Sequence, residues 1–317
     1  MMVRRRRFPS IRPARQRGAA LLIALVVAAL ASILALDVIE RGQSTMARTQ
    51  ALLDTERAYQ YALGMELLAR DLIDQARAEG ADPEMLNGNW TPVFQVPGGR
   101  VQGRLLDQQA RFNLNALAHP DAATREDARQ ILERLLDLLG LDAVIALELA
   151  DWVEGAAVAR PGSAGNSVYA GFRPPYRMAG VALAHPSELR WLRSMTPQAY
   201  ALLSTYITTL PEPDLRVNIN TASPPVLAAL MPEMSLEQAE RVVADGPWRE
   251  LRDFLAHPVL QMQPIADVEL QRRISITSED YLAQARVTLG GVERDYFGLI
   301  QLGGTGYDFR WFSQGVP

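Results

Sequence analysis

The 317-residue chain contains no cysteine and only three histidines, His119, His185 and His257. The absence of cysteine excludes disulfides, thiolate metal sites and cysteine nucleophiles. Each histidine stands in an Ala-His-Pro tripeptide, and a residue that precedes proline is pushed towards extended backbone. We therefore interpret the three histidines as turn residues, which leaves little material for a hydrolase or a zinc enzyme.

Lysine is absent as well, so all 32 basic residues are arginine, against 36 acidic residues and a formal net charge of −4. Residues 1–17 contain seven arginines and no acid. Without those seven positive charges, −4 becomes −11 for the rest of the chain. A basic leader followed by an acidic body argues against a nucleic-acid-binding protein, which needs a basic working face.

A run without any charged residue extends from Ala19 to Leu36. As a helix it would be about 27 Å long, close to the hydrocarbon thickness of a bilayer. Arginines before the run and the acids Asp37 and Glu40 after it predict a cytoplasmic N-terminus, with the rest of the chain outside. A cleaved secretory signal peptide is the alternative, but residues 34–37 lack the small-x-small cleavage pattern. We therefore favour a membrane anchor.

No proline interrupts the chain from Asp37 to Ala78, and helix-forming residues dominate this stretch. The composition predicts one continuous helix over Ala19–Ala78, about 90 Å long. Gly42 and Gly64 are its weakest points, each costing about 1 kcal/mol relative to alanine. A long helix rooted in a membrane and amphipathic beyond it is a packing element for other proteins.

Strand patterns lie on both sides of a helical block. Val93–Val96 and Arg100–Leu106 flank a Pro-Gly-Gly turn and predict a hairpin. Alternating stretches at Arg273–Ser278, Tyr281–Leu289, Val292–Leu302 and Tyr307–Phe312 predict further strands, with Gly290-Gly291 as the clearest turn. The predicted fold class is α+β: a long N-terminal helix packed on an antiparallel sheet, with a large all-α domain inserted. The predicted segments are residues 1–18 (leader), 19–36 (transmembrane), 37–78 (stem), 90–110 (first strands), 111–262 (helical insert) and 263–317 (last strands).

The helical insert contains a weak internal repeat. Leu141-Asp142, Met195-Thr196 and Met234-Ser235 each place an apolar residue before a helix-capping residue. This pattern is typical of small SAM-like or helix-hairpin-helix-like units. It invites a DNA-binding interpretation, because 217–222 (VNINTA) resembles the opening of competence DNA receptors. The hairpin at 232–234 (Pro-Glu-Met), however, lacks the glycines that let backbone N–H groups approach a phosphate.

We therefore interpret these helical units as packing elements. Asn218, Asn220 and Thr221 would then serve as turn and cap residues that order the start of a helix over Pro224–Leu230.

The N-terminus resembles that of type IV prepilins: a short arginine-rich leader ends in Gly18 and is followed by small and apolar residues. The resemblance implies cleavage by a prepilin peptidase between Gly18 and Ala19, with methylation of the new Ala19 amine. Most members carry glutamate at the fifth mature residue, where this chain has Ile23. That departure is a feature of the K-type minor pseudopilins of type II secretion, the general secretion pathway protein K family.

The resemblance to this family extends over nearly the whole chain. It implies a non-enzymatic subunit at the tip of the type II secretion pseudopilus, which initiates or caps the fibre and helps to export folded proteins across the outer membrane. The implied partners are I-, J- and H-type minor pseudopilins, the inner-membrane secretion platform, the prepilin peptidase and secreted exoproteins, with no nucleic acid. The chain would be a single-pass inner-membrane protein whose bulk is periplasmic. The matching segments are Asp107–Leu117, Asp151-Trp152, Pro174–Arg177, Ser187–Arg190, Met195–Pro197 and Arg216–Leu230.

The family resemblance also implies calcium in the helical domain. The corresponding loop offers Asp151, Glu154 and Asn166 as candidate ligands, whereas calcium prefers six to eight oxygens, largely from carboxylates. Ala156 and Gly165 stand where further acids would be expected. The alternative is a solvated loop without metal in which Asp151 caps a backbone group or pairs with Arg160.

Two other functions are left open by the sequence. A minor pilin or DNA-uptake subunit predicts salt-sensitive binding to duplex DNA. A single-pass membrane enzyme is the third alternative, but the sequence shows no Ser/His/Asp arrangement, no Walker-type glycine loop and no metal-ligand pair on one helix face.

Overall fold

The computed structural model describes residues 17–79, 88–155, 159–265, 267–303 and 306–315. Its first element is a helix, α1, that runs without a break over Arg17–Glu79, which confirms the continuous helix predicted for Ala19–Ala78. Gly42 and Gly64 both lie inside it, and a Cβ at either position would have nothing within 4 Å. The chain forms two compact units, and α1 passes from one to the other between Ala58 and Tyr59.

Five antiparallel strands form the main sheet, in the order β1-β2-β7-β8-β9. Both glycine turns predicted from the sequence are present, at residues 97–98 and at Gly290-Gly291, where both glycines have positive φ. The two shorter sheets each contain one parallel pair, β3 with β4 and β5 with β6. In chain order the strands are β1 (Phe94–Val96), β2 (Gly99–Asp107), β3 (Phe112–Asn113), β4 (Ile207–Thr208), β5 (Val217–Asn218), β6 (Ile274–Ser275), β7 (Asp280–Leu289), β8 (Val292–Gly303) and β9 (Gly306–Gln314).

The helices of the insert surround one continuous apolar core. Two of the three predicted capping residues are N-caps: Thr196 accepts a hydrogen bond from the Ala199 N–H, and Ser235 accepts one from the Gln238 N–H. The third prediction is one residue early, because the N-cap of the helix Val144–Glu154 is Ala143, although Asp142 Oδ1 accepts from the Val144 N–H at 2.9 Å. The helices after α1 are α2 (Ala122–Leu138), α3 (Val144–Glu154), α4 (Asn166–Tyr169), α5 (Pro197–Leu203), α6 (Pro224–Leu230), α7 (Leu236–Ala244), α8 (Leu251–Leu255), α9 (Pro258–Gln261) and α10 (Asp267–Arg273), with 3-10 helices at Leu114–Ala118 and Pro186–Trp191.

The helical insert extends beyond its predicted end at residue 262. Helix α10 and strand β6 both lie in the segment 263–317, which the sequence predicts as the last strands of the main sheet. Strand β6 pairs in parallel with β5, through Val217↔Ile274 and Asn218↔Ser275, and not with the main sheet. Pro264 interrupts the helical pattern just before α10, and for this reason the sequence places the boundary too early.

The histidines are turn residues, as predicted. The Nδ1 atoms of His119, His185 and His257 accept hydrogen bonds from the backbone N–H groups of Asp121, Ser187 and Val259, respectively. All three therefore stabilise local chain reversals or helix starts.

Candidate functional site: membrane helix, asparagine turns and metal loop

The first half of α1 is a helix long and apolar enough to cross a membrane. Its large apolar side chains are exposed, for example Leu21, Leu25 and Leu34. Exposed apolar side chains along a whole helix are unfavourable in water and favourable in a bilayer. The geometry therefore agrees with the predicted transmembrane segment.

The predicted processing residues lie at the start of this helix. Gly18 and Ala19 are within the first turn of α1. Ile23 follows one turn later, with 61% of its side chain exposed. The apolar run thus carries no carboxylate at the position where most pilins have one, and cleavage between Gly18 and Ala19 stays a prediction.

From Tyr59 onward, α1 packs on one face of the main sheet. Ala69 and Ile73 are buried against Leu105 and Ile300. The approach is closest at Gly103, where a Cβ atom would lie 2.3 Å from the Met65 Cε. Small residues on the sheet therefore set the distance between this part of the helix and the strands.

Two short segments of the insert have the same alternating sequence of apolar residues and asparagines. We call 112–115 (Phe-Asn-Leu-Asn) the first asparagine turn and 217–220 (Val-Asn-Ile-Asn) the second asparagine turn. In each, the leading asparagine accepts a hydrogen bond from the backbone N–H of the other, at 3.1 Å in the first turn and 3.0 Å in the second. Each turn also contributes the first strand of a parallel pair.

Asn115 of the first turn is 2% exposed and satisfies three backbone groups. Its Nδ2 donates to the carbonyls of Leu183 at 2.9 Å and Leu210 at 2.8 Å, and its Oδ1 accepts from the Leu183 N–H at 2.8 Å. A single amide thus joins two chain segments that lie 68 and 95 residues further along.

Asn220 of the second turn has the same set of bonds. Its Nδ2 donates to the carbonyls of Trp248 at 2.9 Å and Ile276 at 3.1 Å, and its Oδ1 accepts from the Trp248 N–H at 2.7 Å. The insert therefore consists of two related units: a first unit from Phe112 to Leu210 and a second unit from Val217 to Ile276.

The leading asparagines differ in their remaining partners. Asn113 donates to the carbonyls of Glu212 at 2.8 Å and Asp214 at 3.1 Å. Asn218 donates instead to side chains, to Asp107 Oδ2 at 3.1 Å and Ser278 Oγ at 2.8 Å.

Asp107 is the buried charged centre of the second turn. It accepts hydrogen bonds from the Gln109 N–H, Ser278 Oγ, the Asn218 amide and Thr221 Oγ1. Burial raises the pKa of Asp107, and these four hydrogen bonds oppose that rise. The carboxylate lies where β2 enters the insert, so the network ties the main sheet to the second turn.

The resemblance of 217–222 to a DNA-receptor motif has a structural explanation. Asn218 is 3% exposed, and the side chains of Asn218 and Asn220 both bond to groups of the protein. The motif therefore orders the chain ahead of α6, as the packing interpretation predicts. The sequence predicts this ordering role for the second turn, but it does not show by itself that the first turn is equivalent. The apolar-Asn-apolar-Asn pattern, which occurs in both turns, is the signal that could have revealed the equivalence.

The structure places two of the three candidate calcium ligands around a guanidinium. Asp151, whose side chain is fully buried, forms an ion pair with Arg160 and accepts from the Arg160 N–H at 2.9 Å. Arg160 Nη2 lies 2.8 Å from Glu154 Oε2. Burial opposes protonation of Arg160, but the hydrogen bonds to Glu154 and Asp151 outweigh it and raise its pKa. The pairing of Asp151 with Arg160 is the alternative predicted for a loop without metal.

The third candidate ligand, Asn166, has its amide oxygen engaged by the Met178 N–H at 2.9 Å. Within the described residues no group of three or more acids and histidines is arranged to hold a metal ion, and Ala156 lies outside the described residues. The donor set as it stands does not fit a calcium ion, because Arg160 pairs with both carboxylates and Arg125 Nε lies 3.4 Å from Glu154 Oε1. Calcium at Asp151, Glu154 and Asn166 stays a prediction that requires Arg160 to move away.

The sequence profiles described as Type II secretion system (T2SS), protein K match residues 110–212 and 217–276, close to the two units of the insert. Type II secretion system protein K of Klebsiella pneumoniae is 33% identical over 90% of this chain and 93% of its own length. The protein of the same name from Pectobacterium carotovorum is 28% identical over 92% of this chain and 94% of its own.

A solved structure has the same fold. It is the crystal structure of the GspK-GspI-GspJ complex from the enterotoxigenic Escherichia coli Type 2 Secretion System. The likeness has a TM-score of 0.71 and 24% sequence identity, and it covers 85% of this chain and 100% of the matched chain. Over the matched part of the chain, the fold is thus that of a known structure.

Proposed function

This chain belongs to the type II secretion system protein K family of minor pseudopilins, and from that premise we propose that it forms the tip of the type II secretion pseudopilus. There it initiates or caps the fibre and helps to push folded proteins from the periplasm across the outer membrane. The observation that carries the proposal is a pilin-like architecture, helix on sheet, enlarged by a two-unit helical insert.

The position at the tip is supported by Ile23 and by the insert. A carboxylate in the bilayer is costly unless it meets a partner such as the N-terminal amine of the subunit ahead. A subunit with nothing ahead of it has no use for that carboxylate, and this chain has none in the apolar run Ala19–Leu36. An insert that extends from residue 112 to 276 would also be hard to place along a filament whose subunits contact each other on several sides.

The proposed partners are other minor pseudopilins of the I, J and H types. The solved structure whose fold this chain shares is described as a complex of GspK with GspI and GspJ, which supports partners of the I and J types. We further propose contacts with the inner-membrane secretion platform, the prepilin peptidase and exoproteins. The role is structural, and the chain is not proposed to be an enzyme.

The proposed location is the inner membrane, with the N-terminus cytoplasmic. The apolar half of α1 supports an anchor, and the seven arginines ahead of it support the orientation. Cleavage between Gly18 and Ala19 would remove those arginines and leave the acidic mature chain.

The test is a clean deletion of the gene, with assay of exoprotein in culture medium and in periplasm. We expect exoprotein to accumulate in the periplasm and secretion to return with the wild-type gene. A Gly18→Glu variant should leave the precursor uncut and fail to restore secretion, whereas a Gly42→Ala control, inside the same helix, should restore it.

Normal secretion by the deletion strain, with no second copy of the gene, would contradict the proposed function. N-terminal sequencing of the mature chain separates the processing step. Any first residue other than Ala19 contradicts the cleavage site but not the family.

A further inference from the structure

A cavity of about 430 Å³ lies between the main sheet and the first unit of the insert. Leu282, Phe297 and Leu299 form its floor on the sheet, and Pro186 and Ile207 contribute from the insert. This is the face opposite the one that carries Leu105 and Ile300, where α1 packs, because side chains alternate along each strand. The volume is within the range of small-ligand sites and far above the roughly 30 Å³ of one water molecule.

The cavity is cationic in an otherwise acidic chain. Arg104 and Arg111 both line it, and none of the lining residues is an aspartate or a glutamate. The remaining polar groups, among them Tyr200, Ser204 and Thr208, are uncharged hydroxyls and amides, together with His185. Such a wall is complementary to an anion with an apolar stem.

The two arginines have little compensation from the protein. Arg104 donates its Nε to Gln284 Oε1 at 2.7 Å and stacks over the Trp90 ring, 4.7 Å from its centroid. Within the part of the chain that the structure describes, neither Arg104 nor Arg111 forms an ion pair, and the Arg111 side chain donates no hydrogen bond. Burial lowers the pKa of Arg111, an effect that nearby Arg104 adds to and Asp107 opposes. Both cations would gain from a carboxylate in the cavity.

We propose that this cavity binds an acidic side chain of another minor pseudopilin, with Arg111 as the direct partner of its carboxylate. The inference rests on the proposed function, because the occupant is a neighbouring subunit of the same fibre. Charge complementarity selects a carboxylate, and the apolar floor accommodates the rest of the inserted segment. Arg104, fixed by Gln284 and Trp90, provides a second positive charge in a set position.

The test measures the affinity of the full chain, in detergent, for the I- and J-type pseudopilins at low and at high salt. Arg111→Gln should weaken binding about tenfold or more at low salt, which is the range expected for loss of a charge-assisted hydrogen bond. Arg111→Lys should recover part of the affinity. Arg241→Gln, which changes an exposed arginine 3.9 Å from Glu237, is the matched control and should bind like the wild type.

Because Arg111 makes no hydrogen bond through its side chain and interacts with Asp107 only through its charge, Arg111→Gln should remain folded, with a melting temperature only slightly below that of the wild type. A blocked glutamate in excess should compete with the partner, and a blocked glutamine should not. Wild-type affinity in Arg111→Gln would overturn this inference alone. Competition by inorganic phosphate but not by blocked glutamate would overturn the carboxylate assignment. Failure of the wild-type chain to bind either pseudopilin would contradict the proposed partners and this inference together.

Discussion

In the first asparagine turn, Asn113 donates to the backbone carbonyls of Glu212 and Asp214, whereas in the second turn Asn218 donates to the side chains of Asp107 and Ser278. The trailing asparagines, Asn115 and Asn220, form matching sets of three hydrogen bonds to backbone groups. The two turns thus share one backbone geometry, but the partners of the leading asparagine differ: backbone carbonyls in the first turn, and a buried carboxylate and a hydroxyl in the second.

The two units also differ in the length of chain that the trailing asparagine spans. Asn115 reaches Leu183, 68 residues on, and Asn220 reaches Trp248, 28 residues on. The extra chain of the first unit contains the Arg160 cluster, which is the pairing of Arg160 with Asp151 and Glu154. The difference teaches that the asparagine turn is the fixed part of the unit and that the stretch between is free to acquire other features.

Replacing the trailing asparagine should lower the free energy of unfolding more than any other change proposed here. The loss should be greater in the first unit than in the second. Asn115→Ala leaves three buried backbone groups unpaired and should cost about 4 kcal/mol of unfolding free energy. Asn220→Ala should cost about 2 kcal/mol, because Asn220 is half-buried and water can replace part of its bonds. Urea unfolding in detergent measures both, with Gln271→Ala, on the exposed side of α10, as the control. Equal losses in the two variants would contradict the ranking.

Breaking the Arg160 cluster tests a feature of the long connecting stretch of the first unit. Arg160→Ala leaves the buried carboxylate of Asp151 without its cation and should cost about 3 kcal/mol. Calcium at millimolar concentration should restore part of this loss, because Asp151 loses its cation and Glu154 keeps only its longer pair with Arg125, at 3.4 Å. Thermal unfolding of the variant with calcium and with a chelator is the measurement.

The wild-type chain provides the other half of this experiment. With Arg160 in place, neither calcium nor a chelator should shift its melting temperature. A clear stabilisation of the wild type by calcium would show that the metal displaces Arg160 and would support calcium at Asp151, Glu154 and Asn166.

Asp107→Asn should affect the second turn and its junction with the main sheet, and not the first turn. The amide nitrogen of the variant would face the donors of Asn218 and Ser278, so the loss should be about 2 kcal/mol. Asp214→Asn is the matched control at the first turn, where the exposed side chain pairs with Arg216, and its loss should be below about 0.5 kcal/mol.

The pH dependence of this variant follows from the raised pKa of Asp107. A carboxyl whose pKa is higher in the folded state stabilises the fold most when it is protonated. Its contribution is therefore present at low pH and is lost as the pH rises through the raised pKa. The difference in stability between wild type and Asp107→Asn should shrink from pH 4 to pH 8, and a difference that widens would contradict the assignment.

Exposed ion pairs should contribute least in both units. The hydrogen bond from Arg129 lowers the pKa of Glu126 to about 2, so its contribution is present above 4.5 and is lost as the pH falls towards 2. Because more than half of the Glu126 side chain is exposed, Glu126→Gln should cost less than about 0.5 kcal/mol at pH 7. Glu237→Gln in the second unit, where the pair is longer, should cost less still. Paired melts at pH 7 and pH 2 give both values.

Local patterns were enough to predict much of the fold. The continuous α1 follows from the absence of proline and from helix-forming composition, and the sheet hairpins follow from glycine turns between alternating strands. Capping by Thr196 and Ser235 depends on neighbours three residues away, which the sequence displays directly. These features depend on interactions between residues that are close together in the sequence.

Long-range partners were not predictable in the same way. The asparagine turns bind Leu183 and Trp248, and nothing in the local sequence marks these residues as partners. The trailing asparagine and its partner are 68 residues apart in the first unit and 28 in the second, so the two units do not repeat with a constant period in the sequence. The pairing of Asp151 with Arg160 was foreseen as an alternative, whereas Glu154, one helical turn later, was considered only as a metal ligand.

The pairing of β2 with β7 has a consequence for how the molecule assembles. Asp107 faces Tyr281 in the ladder, and the Gln108 N–H donates to the Asp280 carbonyl at 2.9 Å, so the whole insert occupies the place of a hairpin loop. Parallel pairs close each unit and bring its two ends together. The insert thus holds the end of β2 beside the start of β7, in the register that the ladder shows. The same geometry makes the junction a natural graft point, where domains can be exchanged without redesigning the sheet.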